Sequence, residues 1–343
     1  MIQAALAEAV RGRELPPHLA SGAMQCMMRG EATESQIGGL LSALRTRGET
    51  ASELAAFART MEEFSVRVRP AISGPLVDTC GTGGDGKATF NISTCAALVA
   101  AGAGVAVAKH GNRAVSSQCG SGDVLEALGA KLTLDPETAS RTLAEAGIVY
   151  LHAPDHHPAL RHAAGVRREL GIRTVFNLLG PLLNPAGATA QLLGVYDPAL
   201  VVPVAETLAT LGRDRAFVVH GDGLDELTTT GESSVAVLDR GQVRTMTVAP
   251  EEFGLARASC ADLAGGGPAE NARILLRVLS GEEGAARDIV LLNAAAACVL
   301  GGRGSHLAAG LTAAETAIES GAALDRLERL VRATGGEPCF STR

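Results

Sequence analysis

The chain of 343 residues is 46% hydrophobic, which is enough for a sizeable core and, at about 150 residues per domain, for two domains. A formal net charge of −7, 3% aromatic residues and no Trp weigh against a nucleic-acid-binding protein, which would be basic and would stack bases on aromatic rings. Seven cysteines without a C-x-x-C spacing indicate neither a disulfide framework nor a zinc site, and the lack of a signal core or of an apolar run of about 18 residues predicts a cytoplasmic protein that does not enter a membrane.

Residues 1–66 are predicted to be helical throughout. Between Thr33, the expected N-cap, and Gly48 at the far end, apolar residues recur at helical spacing, and residues 49–64 repeat the pattern. Helices this short cannot each close a core. We therefore expect them to pack on one another or on a partner chain.

From residue 70 onwards, short apolar runs alternate with helical patterns. The runs 75–80 and 105–111 are typical of buried strands, and the helix between them is expected to begin at Ser93 or Thr94. Further strands are predicted at 148–154, 191–197 and 215–221, a hairpin at 234–248, and helices at 135–147, 202–211, about 270–279, 286–300 and 311–332. The pattern predicts an α/β fold, in which a small N-terminal all-helical domain joins a large α/β domain with a mainly parallel central sheet flanked by helices.

The stretch "CGTGGDGKATFNIST" (80–94) satisfies two phosphate-loop patterns at once. A dinucleotide site would need a helix that opens inside the glycine motif and an acid after the next strand, but that strand ends in Lys109 and His110. A Walker A loop would need Ser or Thr after Lys87, where Ala88 stands. What remains is a longer anion cradle, here called the glycine loop (residues 81–91), in which glycine N–H groups and the start of the following helix bind phosphate.

Two further polar segments follow later strands. "KHGNRAVSSQCGSGD" (109–123) supplies basic, amide and hydroxyl groups, and "VVHGDGLDELTTTG" (218–231) supplies Asp225 and Glu226. Because parallel strands end at the same edge of a sheet, we expect both segments to meet the glycine loop there. Adjacent acids in a loop are usually only solvated, but beside a polyphosphate they become Mg²⁺ ligands. Thr94 is equally well explained as an ordinary helix cap, and His110 as a buried structural histidine.

Four segments resemble the anthranilate phosphoribosyltransferase family, in family order: "DTCGTGGDGKATFNIST", "KHGNRAVSSQCGSGDVLEALG", "HHPALRHAAGVRRELGIRTVFNLLGPLLNPA" and "HGDGLDE". Weaker similarity continues through 268–276 and 290–300, so the resemblance covers nearly the whole chain. Two positions depart from the family pattern. Gly122 stands where the family usually has Ala, and Leu160 where some members have Tyr, close to the expected path of anthranilate.

The resemblance implies a glycosyltransferase of tryptophan biosynthesis. The 5-phosphoribosyl group of phosphoribosyl pyrophosphate would pass to the amine of anthranilate, giving N-(5-phosphoribosyl)anthranilate and pyrophosphate. A small helical domain of residues 1–66 plus about 167–185 would form a homodimer interface, and residues 70–166 and 186–343 would form the large domain that binds phosphoribosyl pyrophosphate. No catalytic acid or base is expected, because an aromatic amine is unprotonated at neutral pH.

The resemblance also implies a set of site residues. Phosphoribosyl pyrophosphate would be held by Gly81, Gly83, Gly84, Asp85, Thr89, Asn91, Ser93, Thr94, Lys109 and Ser121. Anthranilate would contact Gly81, His110, Asn112, Pro154 and Arg167, the last because a guanidinium suits a carboxylate. Two Mg²⁺ ions per subunit would be held by Ser93, Asp225 and Glu226.

Two other functions stay open at this point. A pyrimidine nucleoside phosphorylase of the same fold would bind phosphate and a nucleoside without Mg²⁺, and the acid pair Asp225–Glu226 together with Arg167 weighs against it. A non-enzymatic relative that binds nucleic acid is disfavoured by the negative net charge and the scarcity of aromatic residues.

Overall fold

The structure is a computed structural model that describes residues 1–84, 86–114 and 118–341. Its N-terminal part is a bundle of helices, as predicted: α1 (Ile2–Val10), α2 (Pro17–Met28), α3 (Glu34–Arg47) and α4 (Ala51–Glu62). The hydroxyl of Thr33 caps the first turn of α3, and the helix ends at Gly48. The buried carboxylate of Glu53 accepts the Leu15 N–H at 2.7 Å and pairs with Arg47, which ties the turn before α2 to α3 and α4.

The rest of the chain alternates strands and helices. In chain order these are β1 (Leu76–Gly81), α5 (Ile92–Gly102), β2 (Ala106–Gly111), α6 (Ser121–Ala127), α7 (Pro136–Ala146), β3 (Ile148–His152), α8 (Ala153–His156), α9 (Arg161–Leu170), α10 (Val175–Leu182), β4 (Ala190–Gly194), α11 (Val201–Thr210), β5 (Arg215–Gly221), β6 (Ser233–Asp239), β7 (Gln242–Val248), α12 (Pro268–Leu279), α13 (Ala285–Leu300), α14 (Leu307–Glu319) and α15 (Ala322–Ala333). None of the helices in the described ranges has the length and apolar character needed to pass through a bilayer.

The strands that the structure describes form one seven-stranded sheet in the order β3-β2-β1-β4-β5-β6-β7. Neighbouring strands from β3 to β5 are parallel, and β6 and β7 add an antiparallel hairpin beside β5. The fold class predicted from the sequence is therefore confirmed. After β1 the chain adds strands on one side, and from β4 onwards on the other. A crevice at the carboxyl ends of β1 and β4 follows from this reversal, and ligands of open α/β sheets bind at such a point.

Alternate residues of the central strands point into two separate apolar cores. Leu192 of β4 faces the core that contains α5 and α13, whereas Leu193 faces the core that contains α11 and the N-terminal bundle. α9 and α10 pack against α2, α3 and α4, so this later segment shares the core of the bundle. The exact domain boundaries stay a prediction, because one apolar cluster runs from the bundle to one face of the sheet.

Four local predictions need correction. The strand expected to reach residue 197 ends at Gly194. The prediction of a single helix at 311–332 is wrong, because Gly321 adopts a left-handed φ of +75° and separates α14 from α15. The strand expected to reach residue 154 ends at His152, and Pro154 lies in the first turn of α8, where a missing N–H costs nothing. Helix α5 begins at Ile92, one residue before the predicted start, with Asn91 at the N-cap position.

Candidate functional site

The acidic loop after β5 closes directly onto the ends of β1 and β4. Asp225 Oδ2 accepts the backbone N–H of Gly83 at 2.7 Å. A Cβ on Gly81 would lie 2.3 Å from Asp225 Oδ2, and a Cβ on Gly194, its register partner, would lie 1.5 Å from the Asp225 carbonyl oxygen. Because real Cβ atoms do not approach other atoms so closely, glycine at both strand ends is what allows this loop to reach the sheet.

The second acid of the pair meets the start of α5. Glu226 Oε1 accepts the N–H of Ser93 at 3.1 Å, in the first turn of the helix. A negative group is stabilised there by the helix dipole and by the unpaired N–H groups of the first turn. The same properties favour phosphate. The start of α5 beside Glu226 is therefore chemically suited to a phosphate group together with a bound metal cation.

A buried lysine lies beneath these loops. Lys109 of β2 is 3% exposed, and its ammonium donates to the carbonyl oxygen of Thr79 and, over 3.2 Å, to Ser93 Oγ. Burial lowers the pKa of Lys109, while the neighbouring acids, Asp78 first among them, oppose that shift. Burial has the opposite effect on an acid and raises the pKa of Asp78 to about 6. Oδ1 of Asp78 accepts the His110 N–H at 3.1 Å. The lysine thus brings positive charge close to Ser93 and to the acid pair.

The loop after β2 folds back on the start of α6. Ser121 Oγ donates to the carbonyl oxygen of Asn112 over 3.2 Å and lies 3.3 Å from the hydroxyl oxygen of Tyr150. The Asn112 side chain itself is exposed, and the guanidinium of Arg113 pairs with Glu126. Ser121 and Asn112, both predicted to be site residues, therefore lie together beside the end of β2.

Asn91 is held from two sides. Its Nδ2 donates to the carbonyl oxygen of Cys119 over 3.2 Å, and its Oδ1 accepts from Nδ2 of Asn271 over 2.9 Å. Thr89 forms an isolated antiparallel bridge with Ala264, so the C-terminal region braces the far end of the glycine loop. The hydroxyl of Thr94, a residue that is 2% exposed, has no hydrogen-bond partner in the part of the chain that the structure describes.

Two buried histidines contact each other behind the site. The rings of His110 and His157 meet edge to face, with 5.1 Å between their centroids. Burial lowers the pKa of His110 well below its usual value and that of His157 to about 4, so both imidazoles are neutral at pH 7. Within the described ranges, Nε2 of each ring has no hydrogen-bond partner.

Arg167 and His110 converge on one face of α10. The guanidinium of Arg167 lies 5.1 Å from the centroid of the Phe176 ring, and the backbone of Gly180 is close enough to the His110 ring to raise its pKa slightly against the larger lowering by burial. Phe176 and Gly180 are four residues apart on α10 and so share a face. Pro154 lies exposed at the start of the short helix α8.

One predicted site residue, Asp85, lies outside the described residues. Sequence reasoning missed five residues that the structure brings to this edge: His157, Tyr150, Arg173, Tyr196 and Asn271. One compositional signal was available. The chain has only two tyrosines, and the side chains of both, Tyr150 and Tyr196, contact polar groups here.

The oxygen donors at this edge suit a hard divalent cation. Asp225 and Glu226 supply carboxylates, and Ser93 supplies a hydroxyl. Among the residues described, no group of three or more His, Cys, Asp or Glu side chains forms a complete metal cage. This composition fits Mg²⁺, which keeps several waters and is commonly held by one or two carboxylates together with substrate phosphates.

The described surface also has grooves away from these polar groups. Two grooves of about 500 and 440 Å³ share Arg67, Arg69 and Ile72, and the second reaches Leu76 and Thr189 at the amino-terminal ends of β1 and β4. They are therefore at the opposite edge of the sheet from the acid pair. The candidate site is identified by its convergent polar groups and not by the size of a cavity.

Comparison with known proteins gives the same two-part organisation. A model of the glycosyl transferase family helical bundle domain matches residues 3–65, and one of the glycosyl transferase family a/b domain matches residues 73–324. Over 337 residues, the chain is 54% identical to the anthranilate phosphoribosyltransferase of Methanocorpusculum labreanum. The matched region covers 98% of this chain and 99% of that protein.

Solved structures agree with the sequence relatives. The anthranilate phosphoribosyltransferase of Thermus thermophilus superposes with a TM-score of 0.92 at 48% identity, over 96% of this chain and 99% of its own. The Saccharomyces cerevisiae enzyme in complex with PRPP and Mg gives 0.89 at 30% identity, over 97% and 98%. Its complex with 4-fluoroanthranilate gives 0.86 at 29%, over 98% and 99%. The resemblance seen in the sequence is confirmed.

Proposed function

The chain belongs to the anthranilate phosphoribosyltransferases of the glycosyl transferase family, and on that premise we propose that it transfers the 5-phosphoribosyl group of phosphoribosyl pyrophosphate (PRPP) to the amine of anthranilate. The products are N-(5-phosphoribosyl)anthranilate and pyrophosphate, in tryptophan biosynthesis. The observation that carries the proposal is the convergence of the glycine loop, the start of α5, Lys109 and the acid pair Asp225–Glu226 at the ends of β1, β2 and β5.

PRPP is assigned to this edge of the sheet. Backbone N–H groups of the glycine loop and of the first turn of α5 are suited to its phosphates, and Lys109 adds a positive charge next to Ser93. The residues proposed to hold it are Gly81, Gly83, Gly84, Asp85, Thr89, Asn91, Ser93, Thr94, Lys109 and Ser121.

Mg²⁺ is assigned to Ser93, Asp225 and Glu226. These side chains supply oxygen donors of the kind that Mg²⁺ prefers, and Asp225 and Glu226 contact the loop and the helix start to which the phosphates of PRPP are assigned. Two ions per subunit are proposed. When bound, they neutralise the charge of the diphosphate leaving group.

Anthranilate is assigned to the face of α10 that His110 and Arg167 approach. The guanidinium of Arg167 would pair with the anthranilate carboxylate, with Gly81, Asn112 and Pro154 completing the contacts. The buried, neutral imidazoles of His110 and His157 give this side of the site uncharged walls that accommodate an aromatic ring.

The chemistry follows from this arrangement. The bond between C1 of the ribose and the diphosphate breaks, the anthranilate nitrogen forms the new bond to C1, and the nitrogen releases its proton to water. Because the amine is already unprotonated at neutral pH, this chain's residues need only hold the two substrates in line and stabilise the departing negative charge. No side chain is assigned as a general acid or base.

Assembly and location form part of the same proposal. A homodimer through the helical domain, residues 1–66 plus about 167–185, is supported by the exposed apolar side chains Met1 and Val10 at the two ends of α1. A cytoplasmic location is supported by the seven cysteines, which all lie within the described residues and form no disulfide bond.

The experiment is to incubate the purified chain with PRPP, Mg²⁺ and anthranilate and to follow the loss of anthranilate fluorescence. Turnover that requires both PRPP and Mg²⁺ is expected. No turnover would refute the proposal. A parallel assay with a pyrimidine nucleoside and inorganic phosphate tests the phosphorylase alternative, which would show phosphorolysis without Mg²⁺.

A further inference from the structure

Arg173 joins two parts of the molecule that the proposed function uses separately. It lies in the turn between α9 and α10, six residues after Arg167. Its guanidinium donates to the carbonyl oxygen of Gly84 in the glycine loop and stacks on Tyr196, with 3.8 Å between Cζ and the ring centroid. A single side chain from the anthranilate side thus holds the backbone of the PRPP side.

The stacking partner is itself fixed to the start of the glycine loop. Tyr196 follows β4, and its backbone N–H donates to Thr82 Oγ1 over 3.1 Å. The Thr82 N–H in turn donates to the carbonyl oxygen of Gly194 over 2.9 Å. Arg173, Tyr196 and Thr82, here called the Arg173 clamp, therefore hold the loop at both Thr82 and Gly84.

The loop needs such an external contact. Gly83 and Gly84 adopt positive φ angles of +65° and +74°, and they carry no side chains with which to hold one conformation. Asp225 fixes the N–H of Gly83, whereas the carbonyl of Gly84 is held by Arg173. The conformation in which the loop presents its N–H groups is thus set partly by a residue of the α9–α10 segment.

We propose that Arg173 is a positioning residue that couples the binding of PRPP to the binding of anthranilate. A ligand of the glycine loop stabilises the clamped conformation, and the clamp fixes the α9–α10 segment that carries Arg167. By linkage, anthranilate must then favour the diphosphate ligand to the same degree. The inference rests on the proposed function, because it takes the two binding sides from it.

An arginine is required for this role. Its planar guanidinium stacks on an aromatic ring while its N–H groups donate in the plane, and a lysine ammonium does not combine the two. Arg173→Lys is therefore expected to retain the charge but lose the coupling. Tyr196→Phe, which preserves the ring, is expected to retain it, and Tyr196→Leu is expected to lose it.

Coupling is measured without turnover by titrating anthranilate, followed by its fluorescence, with and without Mg²⁺ and pyrophosphate. For wild type we expect pyrophosphate to tighten anthranilate binding by about fivefold or more. Arg173→Ala should reduce that factor to about one. In steady-state assays, its KM for PRPP should rise about tenfold with little change in kcat, because a charge-assisted hydrogen bond to the loop is lost.

Arg168→Ala, an exposed arginine on α9, is the matched control and should keep wild-type coupling. Thermal unfolding of each variant separates a loss of coupling from a loss of fold, and Arg173→Lys and Tyr196→Leu test the clamp if Arg173→Ala does not fold. Wild-type coupling in Arg173→Ala, or no coupling in wild type, overturns the inference. A wild type without turnover that still couples pyrophosphate to anthranilate would instead refute the proposed function and leave the clamp intact.

Discussion

The backbone N–H of Gly83 donates to the carboxylate of Asp225 over 2.7 Å, although 142 residues separate the two along the chain. The glycine loop and the acidic loop are therefore parts of one structure. Any change that displaces Asp225 should alter how the glycine loop binds phosphate. This dependence leads to the first prediction.

Gly81→Ala should weaken PRPP binding. A Cβ at this position would lie 2.3 Å from Asp225 Oδ2, so the carboxylate has to move. Overpacking of this kind costs about 1–3 kcal/mol, which corresponds to roughly a tenfold to hundredfold loss in kcat/KM for PRPP. Gly165→Ala on α9, whose Cβ would have no atom within 4 Å, is the control. Wild-type kcat/KM in Gly81→Ala would contradict the close packing of the two loops.

Asp225→Asn combined with Glu226→Gln should abolish Mg²⁺-dependent turnover without unfolding the protein. Each amide keeps an oxygen that can accept the N–H of Gly83 or Ser93, so the loops should stay in place. The negative charge that attracts the cation is lost, and we expect turnover to fall roughly a hundredfold or more. Activity against Mg²⁺ concentration and thermal unfolding are the two measurements. Retained turnover would remove the acid pair from the metal site.

Arg167→Ala should raise the KM for anthranilate. Loss of one partner of a desolvated charge pair costs roughly 2–5 kcal/mol, which is an increase of about thirtyfold or more. The control is Arg168→Ala, which removes an exposed neighbour on the same helix. An unchanged KM for anthranilate in Arg167→Ala would exclude the proposed contact.

The sequence predicted the sheet and the three polar segments because those features are local. Short apolar runs such as 75–80 are typical of buried strands, and parallel strands bring their carboxyl ends to one edge, so Lys109, Ser93 and Glu226 could be placed together before any coordinates. The break at Gly321 was not predicted. Residues 311–332 have the pattern of one helix, but that glycine separates α14 from α15.

The missed residues act across long separations. Arg173 contacts Gly84 from 89 positions away, and Asn271 contacts Asn91 from 180 positions away. Neither contact has a local pattern, since an arginine in a turn or an asparagine on a helix is equally typical of a solvated surface. His157 was not assigned for a similar reason, because its contact with His110 depends on how β2 and the turn after α8 pack together.

His157 gives the pH prediction. Burial lowers its pKa from 6.5 to about 4, so in that interval the unfolded chain takes up a proton that the folded chain does not. The free energy of unfolding therefore has its full value above pH 6.5 and decreases as the pH falls, by up to about 3 kcal/mol for this residue. His110 and His156, whose pKa values burial also lowers, act in the same direction. Asp78, whose pKa is raised to about 6, acts in the opposite one.

His157→Gln should make the acid-side loss of stability shallower. The variant removes one group that must stay neutral in the fold, so the difference in unfolding free energy between pH 6.5 and pH 4 should shrink relative to wild type, whatever the other groups contribute. Urea unfolding at several pH values across this window measures the slope for each protein. His18→Gln, at an exposed position on α2, controls for the loss of any one histidine. Equal slopes in His157→Gln and wild type would mean that this imidazole is not kept neutral by burial.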